Sequence, residues 1–586
     1  MQSDTSLWSK YQDLLNYQQE MGFTWKFPEY ERFKEGDQWP EATERTRNLP
    51  RPVANIIRFF INSKKSNVLN QTIKMVYTPS EAQPEAINQL TGIQTETHAA
   101  QGAKDYTDFA TALWEDLDQD NLNDQFIEDA ATNGTGFFHY YWDPDITGGM
   151  SLKYSGDLRG EVLDALNVFL ENPQEQEIQR QPGIIISSRE SVRAVREMAI
   201  REGVPMELIE LIRPDEDVQN EGYDSAKHEP DLTKKLTLLT EYYRQDGEVC
   251  YNRSTRAVDL ISGRPLTPES LQMQGQKDPS ESPDEPSIDG VRDYADTAPE
   301  RFKMTLYPIA SMPWYRRKKC GYGIGEVEGI VPNQKAINFN LAMMLLGVQQ
   351  TAWPKMLAKA GALRDPVTNE PGEIVVDYDQ NGGDGIKYMQ PPNFSGMPVA
   401  LVDKVMELTR TTSGVNEVAS GEPFTANMAA SALIALQNQA KQPIENIQKR
   451  FYRTLKDVGK IWEQFFKAYY TLPRNMTLTD PTGQEETRVF QGSAFRDVEF
   501  KLRVDVGAGS SFSESLTQSI LENLYDRQQI TTEQYVELLP AGALSCKERL
   551  KQMLEQNAQQ MQMQQMGGGT GGVMPGMQGG NVVAAQ

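Results

Sequence analysis

Ten apolar residues, Leu433, Leu436, Ala440, Ile444, Ile447, Phe451, Leu455, Val458, Trp462 and Phe465, follow one another at intervals of three or four without a break. Steps of three and four keep side chains on one face of a helix that turns every 3.6 residues. The series predicts a helix from Ala429 to Tyr470, roughly 63 Å long at 1.5 Å per residue. Pro443 has no N–H to give the helix and is expected to bend it after its first third. So long an element with a single apolar stripe requires a large surface to cover it.

The segments before it have their own periods. Val327, Ile330, Ile337, Leu341, Met344 or Leu345, and Val348 predict a helix beginning near Glu326, with Pro332 early in it and Trp353-Pro354 closing it. Residues 355–395 read as a small β-rich unit in which IVVDYD and IKYM flank the turn NGGDG. Val399, Val402, Val405, Met406 and Leu408 give a short helix over 398–412. The loop SGVNEVASGEPFTAN then leads into the long helix.

The first half of the chain mixes both periods. Residues 1–75 read as helix, loop, helix, with Leu7, Tyr11, Leu14 and Leu15 on the first and Ile56, Ile57, Phe60, Ile61, Val68 and Leu69 on the second. Residues 96–133 read as one helical stretch ending at Asn133-Gly134. GFFHYYWD, 136–143, is β-prone and is expected to pair with 150–154 across DPDITGG. Further strands are expected at 159–170, 183–187 and 302–310, a charged helix at 188–202, and a hairpin of 236–244 with 248–252 turning at Asp246-Gly247. Residues 271–300, rich in Pro, Ser, Asp, Glu and Gln, are expected to form an exposed, mobile insertion. Strands return after Pro473, including VEFKLRVDV, and 513–560 is expected to be helical. The Met/Gln/Gly tail, 561–586, is expected to be disordered. The fold class is α+β.

At 586 residues the chain has room for roughly four structural units. Its 58 Lys and Arg stand against 82 Asp and Glu, a net charge of −24. Tight wrapping of nucleic acid draws on cations that neutralise phosphates, so a general DNA-binding role is disfavoured. An acidic surface suits DNA that must slide past. Three scattered cysteines and three histidines show no disulfide framework and no zinc spacing, so no metal is expected. The polar N-terminus does not read as a signal peptide, and no apolar run is long enough to span a bilayer, so a soluble cytosolic product is expected.

Chemistry-bearing motifs are few. GYGIGEVEG, 321–329, superficially suggests a phosphate loop, but WYRRKKC precedes it where a buried strand is required. A flexible turn before a helix is the expected reading, and RRKK, 316–319, reads as a solvated basic loop. No paired carboxylates, nucleophile–histidine arrangement or G-x-x-x-x-G-K motif is visible. The protein is not expected to be an enzyme or to carry a cofactor.

The order of elements between Arg301 and Tyr470 resembles the core of tailed-bacteriophage portal proteins, the head-to-tail connectors. GDQWPE and RPVANIIRFFINS resemble the podovirus-type members related to the portal of phage P22. The resemblance covers roughly residues 30–550, through loose motifs. It implies a wing over 1–323, a first stem helix over 324–352, a clip over 353–395 and a second stem helix over 396–412. A tunnel loop would follow at 413–428, then a long kinked helix at 429–471, a β return to the wing at 472–510, a helical crown at 511–560 and the tail.

The same resemblance implies a twelve-subunit ring at one capsid vertex of the virion, assembled in the host bacterial cytoplasm. Double-stranded DNA would pass through it during packaging and ejection without sequence specificity. Expected partners are the terminase large subunit, head-completion, adaptor and tail proteins, and the major capsid and scaffolding proteins, with no membrane. Tunnel-loop candidates are Ser413, Asn416, Glu417, Glu422, Phe424 and Asn427; Phe424 either narrows the bore or packs beneath the loop. Clip candidates are Lys355, Lys359, Arg364 and Lys387, which either contact motor or adaptor or are simply solvated. Ile337, Leu341 and Leu345 are expected at the stem subunit interface, and Pro443 at the helix kink. Two alternatives stand beside this reading: an internal scaffold or minor capsid protein without a channel, and a soluble hydrolase with an unrecognised site.

Overall fold

The computed structural model describes residues 5–80, 98–149, 152–215, 234–267, 302–352, 355–360, 362, 376, 378, 385–389, 397–414, 430–479, 485–506, 521, 525, 527 and 532–538. The expected insertion at 271–300, the tail at 561–586 and most of the expected crown lie outside them. The chain divides into two compact units. The first comprises Met1–Leu69, Met75–Arg474 and Phe490–Val504; the second comprises Asn70–Lys74, Asn475–Val489 and Asp505–Gln586.

The first unit is a mixed structure of helices and antiparallel sheets. Its N-terminal helices are α1 (Ser6–Glu20), α2 (Phe23–Glu35) and α3 (Ile56–Leu69). Thr5 caps α1 by accepting from the Trp8 N–H. Helix α2 occupies sequence expected to be loop. Its Phe23, Phe27, Tyr30 and Phe33 recur at helical spacing and are buried, which outweighs Pro28 inside it. The single helix expected over 96–133 is instead α4 (His98–Asp116) and α5 (Gln119–Asn133), broken where Asp118 takes a left-handed conformation at φ 49°.

Five strands form a meander in which each pairs with its sequence neighbour: β4 (Val168–Leu170), β5 (Gly183–Ser191), β6 (Lys235–Gln245), β7 (Glu248–Ser254) and β8 (Asp259–Pro265). Asp246 and Gly247, at φ 52° and 78°, make the two-residue turn between β6 and β7 with the left-handed pair this hairpin geometry needs. Adjacent residues point to opposite faces. Leu239 therefore packs with Ile185 and Phe169 against Leu7, Trp8 and Tyr11 of α1. Leu236 and Leu238 face the other way, onto Val195 and Ala199 of α6 (Val192–Arg201).

A second sheet places β2 (Thr135–Gly148) between β3 (Tyr154–Leu163) and β9 (Ile309–Pro313). The Asp-Pro-Asp expected in a turn lies inside β2, where a register shift between Asp143 and Thr147 absorbs it. Residues 302–308, expected to be strand, are irregular, and only 309–313 pair. Strand β1 (Ile73–Pro79) lies beside β14 (Phe500–Val506).

The apolar series from Leu433 to Phe465 lies on α9 (Ala430–Tyr469), after α7 (Glu326–Ala352) and α8 (Met397–Ser413). From Ile444 onward its apolar face is covered by its own chain: Ile447, Phe451, Leu455, Val458, Trp462 and Phe465 are all buried. Trp462 meets Tyr140 of β2 edge-on, and Phe126 of α5 stacks on Phe138 of the same strand at 3.9 Å. Between α7 and α8 the chain forms a two-strand ribbon, β10 (Met356–Ala358) with β11 (Ile386–Tyr388). IVVDYD, expected as a strand there, lies mostly outside the described residues. In the second unit, β12 (Arg474–Thr479) and β13 (Glu485–Phe490) pair, and α10 spans Thr532–Leu538.

Candidate functional site

Helix α7 is anchored at its start and bare at its end. Glu326 in its first turn lies 2.6 Å from the Lys64 ammonium of α3, and both side chains are buried. Its second oxygen accepts from Trp314 Nε1 and the Tyr315 hydroxyl. Burial pulls the Lys64 pKa down, partly offset by Glu326. Two turns on, Gln334 donates to Ala54 O at 2.7 Å and accepts from the Ile56 N–H at 3.0 Å. Asn338 accepts from the Ala54 N–H and donates to Gln38 Oε1. This ladder ties the first half of α7 to the segment PVANI and to Gln38, so buried polar atoms on that face have partners.

Past Asn338 the helix leaves this cover. Ile337 is enclosed by its own chain, Leu341 is half-buried, and Leu345, one turn further along the same line, is 45% exposed. Val348 lies beside Leu345 and is 64% exposed, while Phe339 and Met343, one turn apart, are 59% and 43% exposed. At about 100° per residue, Phe339 and Leu345 stand about 120° apart around the axis. Helix α8 packs alongside: Asn333 Nδ2 donates to Thr409 Oγ1 at 2.9 Å, and Val402, Thr409 and Ser413 form its covered stripe. Leu401 and Leu408, seven apart on one flank of α8, are exposed. The helical pair thus carries large apolar side chains in solvent on more than one face, an arrangement that marks a contact surface.

The other candidates distribute unevenly. Lys355, Lys359 and Lys387 come together as exposed residues on the β10–β11 ribbon, where Lys359 N donates to Gly385 O and Met389 N to Lys355 O. Ser413 ends α8, is buried, and its hydroxyl donates to Arg410 O. Arg364, Asn416, Glu417, Glu422, Phe424 and Asn427 lie outside the described residues. Pro443 falls within α9. Periodicity found Leu345 and Val348, whereas Phe339 and Met343 are off that stripe and were missed. Apolar residues on a second helix face were the signal available.

GYGIGEVEG serves packing. A Cβ at Gly323 would lie 2.3 Å from Gly134 O, and one at Gly325 would lie 2.3 Å from Thr132 O. These glycines let the turn before α7 press against the end of α5, and Gly323 N donates to Thr135 Oγ1. In the preceding RRKK, Arg317 reaches Glu328 at 3.5 Å and lies over the Phe23 ring, while Arg316, Lys318 and Lys319 are exposed. Among the described residues no group of His, Cys, Asp and Glu could hold a metal ion, and no helix is long and apolar enough to cross a membrane.

No curated protein matches the chain. One solved structure, "Neck of native GTA particle computed with C12 symmetry", aligns over 82% of this chain and 88% of that one, at 9% identity and a TM-score of 0.30, a likeness too loose to argue from. Residues 297–568, from before β9 through α7, α8 and α9 and beyond, match the family model described as "Phage P22-like portal protein". On that stretch, just under half of its length, the chain is similar to the phage P22-like portal proteins.

Proposed function

We propose that copies of this chain close into a ring of twelve at one vertex of a phage capsid and form the channel through which double-stranded DNA is packaged and ejected. The observation that carries this reading is the pair of exposed apolar flanks on α7, taken with the family match. Two different sticky faces on one element suit a heterologous contact, in which each copy meets two neighbours through unlike surfaces, and such contacts generate closed rings when the rotation per step closes. In this reading α7 and α8 are the stem, the β10–β11 ribbon belongs to the clip that meets the terminase motor and later the head-completion and tail proteins, and 413–428 is the tunnel loop. The wing is 1–323, joined by the β return at 472–510, with the crown at 511–560. A net charge of −24 per copy keeps the wall from gripping phosphates.

The test is the native mass of the purified protein, with negative-stain images of the same sample. A particle of about twelve 66.1 kDa chains with a central hole is expected. A monodisperse monomer at micromolar concentration would end the ring reading.

A further inference from the structure

A crevice of about 290 Å³ opens between the turn Ile178–Arg180, strand β9, the loop 316–321 and the middle of α9. Four cationic side chains line it, Arg316, Arg450, Arg453 and Lys460, against two carboxylates, Glu177 and Asp457. Arg453 is matched, with its Nη2 3.1 Å from Glu177 Oε1. Lys460 is one of the cations that counter the upward push of burial on the Asp457 pKa.

Arg316 and Arg450 are left over. Arg450 donates one N–H to the backbone oxygen of Trp314, and among the described residues neither guanidinium has a carboxylate partner. They lie close enough that Arg316, after burial, helps lower the Arg450 pKa. Two unmatched guanidiniums side by side repel each other. Their repulsion is relieved by an anion that both can fork onto.

We infer that this crevice binds a phosphate dianion, either inorganic phosphate or the phosphomonoester end of a nucleic-acid strand. The excess of cations over carboxylates in the lining is two. A phosphate monoester carries about −1.5 to −2 at neutral pH and offers three acceptor oxygens, whereas a carboxylate would neutralise only one guanidinium. The volume sits at the small end of ligand pockets, which run from about 300 Å³ upward, and suits a compact anion. The inference does not depend on the ring.

Calorimetric titration of the full-length protein with sodium phosphate, in chloride buffer, tests it. One saturable site per chain is expected, weakened at least about tenfold by Arg316→Gln. Arg316 is exposed, so an unchanged melting temperature will show that this variant folds; Arg450→Gln is the second variant. Competition by a 5′-phosphorylated DNA duplex but not by its unphosphorylated twin identifies a strand end as the source. Competition by neither identifies free phosphate. The inference is overturned by absence of binding at millimolar phosphate, by equal binding of acetate, by equal competition from both duplexes, or by unchanged affinity in both variants.

Discussion

The ammonium of Lys64 and the carboxylate of Glu326 lie 2.6 Å apart with almost no solvent on either, at the point where α3 meets the first turn of α7. Removing one member of such a buried pair strands the other, at a cost of about 3–5 kcal/mol, while replacing both with apolar groups costs far less. Glu326→Ala should also orphan Trp314 Nε1 and take from the Tyr315 hydroxyl the carboxylate to which it donates. Denaturant melts should therefore rank Lys64→Met with Glu326→Leu together as more stable than Glu326→Ala alone. A double variant weaker than either single would show that the pair itself holds the junction.

Glycine substitutions separate packing from flexibility before α7. Gly323→Ala and Gly325→Ala drive a methyl group into backbone oxygens of α5 and its cap, and each should cost more than about 2 kcal/mol or block folding. Gly329, inside α7 with nothing within 4 Å of its missing Cβ, should gain roughly 0.5–1 kcal/mol as Ala. If all three variants melt alike, the motif is a hinge rather than a contact.

Charges on the bare end of α7 should abolish assembly while sparing the subunit. Phe339→Asp and Val348→Asp alter opposite flanks that are largely exposed among the described residues. Each should shift the native mass from ring to monomer with a melting temperature within a few degrees of the parent. Leu341→Asp should also prevent the ring, with some loss of subunit stability because it is half-buried. Rings of normal size from both Phe339→Asp and Val348→Asp would remove α7 from the interface.

Asp129 supplies a pH signature. Burial, followed by the nearby Glu31 and Asp164 carboxylates, raises its pKa to about 8. Its unfolded value is 3.8, so between about pH 4 and 8 the folded state holds a proton that the unfolded state has released. Stability from this group therefore falls as pH rises through that window, by at most about 1.4 kcal/mol per unit. Asp129→Asn should flatten that slope and melt higher than the parent above pH 8. Parallel melting profiles from pH 5 to 8 would refute the assignment.

How much was legible depended on what each segment packs against. Helices α7, α8 and α9 announce themselves because an apolar stripe repeats over several turns of each. Helix α2 did not, since its four aromatics are interrupted by Pro28 and one of their partners, Tyr322, lies about 300 residues away. The break at Asp118 is a single left-handed residue between α4 and α5, and no proline or glycine flags it. At the candidate site, Leu345 was visible as part of a stripe. That Ile337 on the same line is buried within its own chain could be learned only from the tertiary packing of α7.

The five-strand meander has a consequence for synthesis. Each of its strands pairs with one already made, so this sheet can be complete once Pro265 has cleared the ribosome. Strand β2, by contrast, must wait for β9 before its second edge is paired. The greasy tip of α7 is translated later still, when a folded platform exists to receive its base.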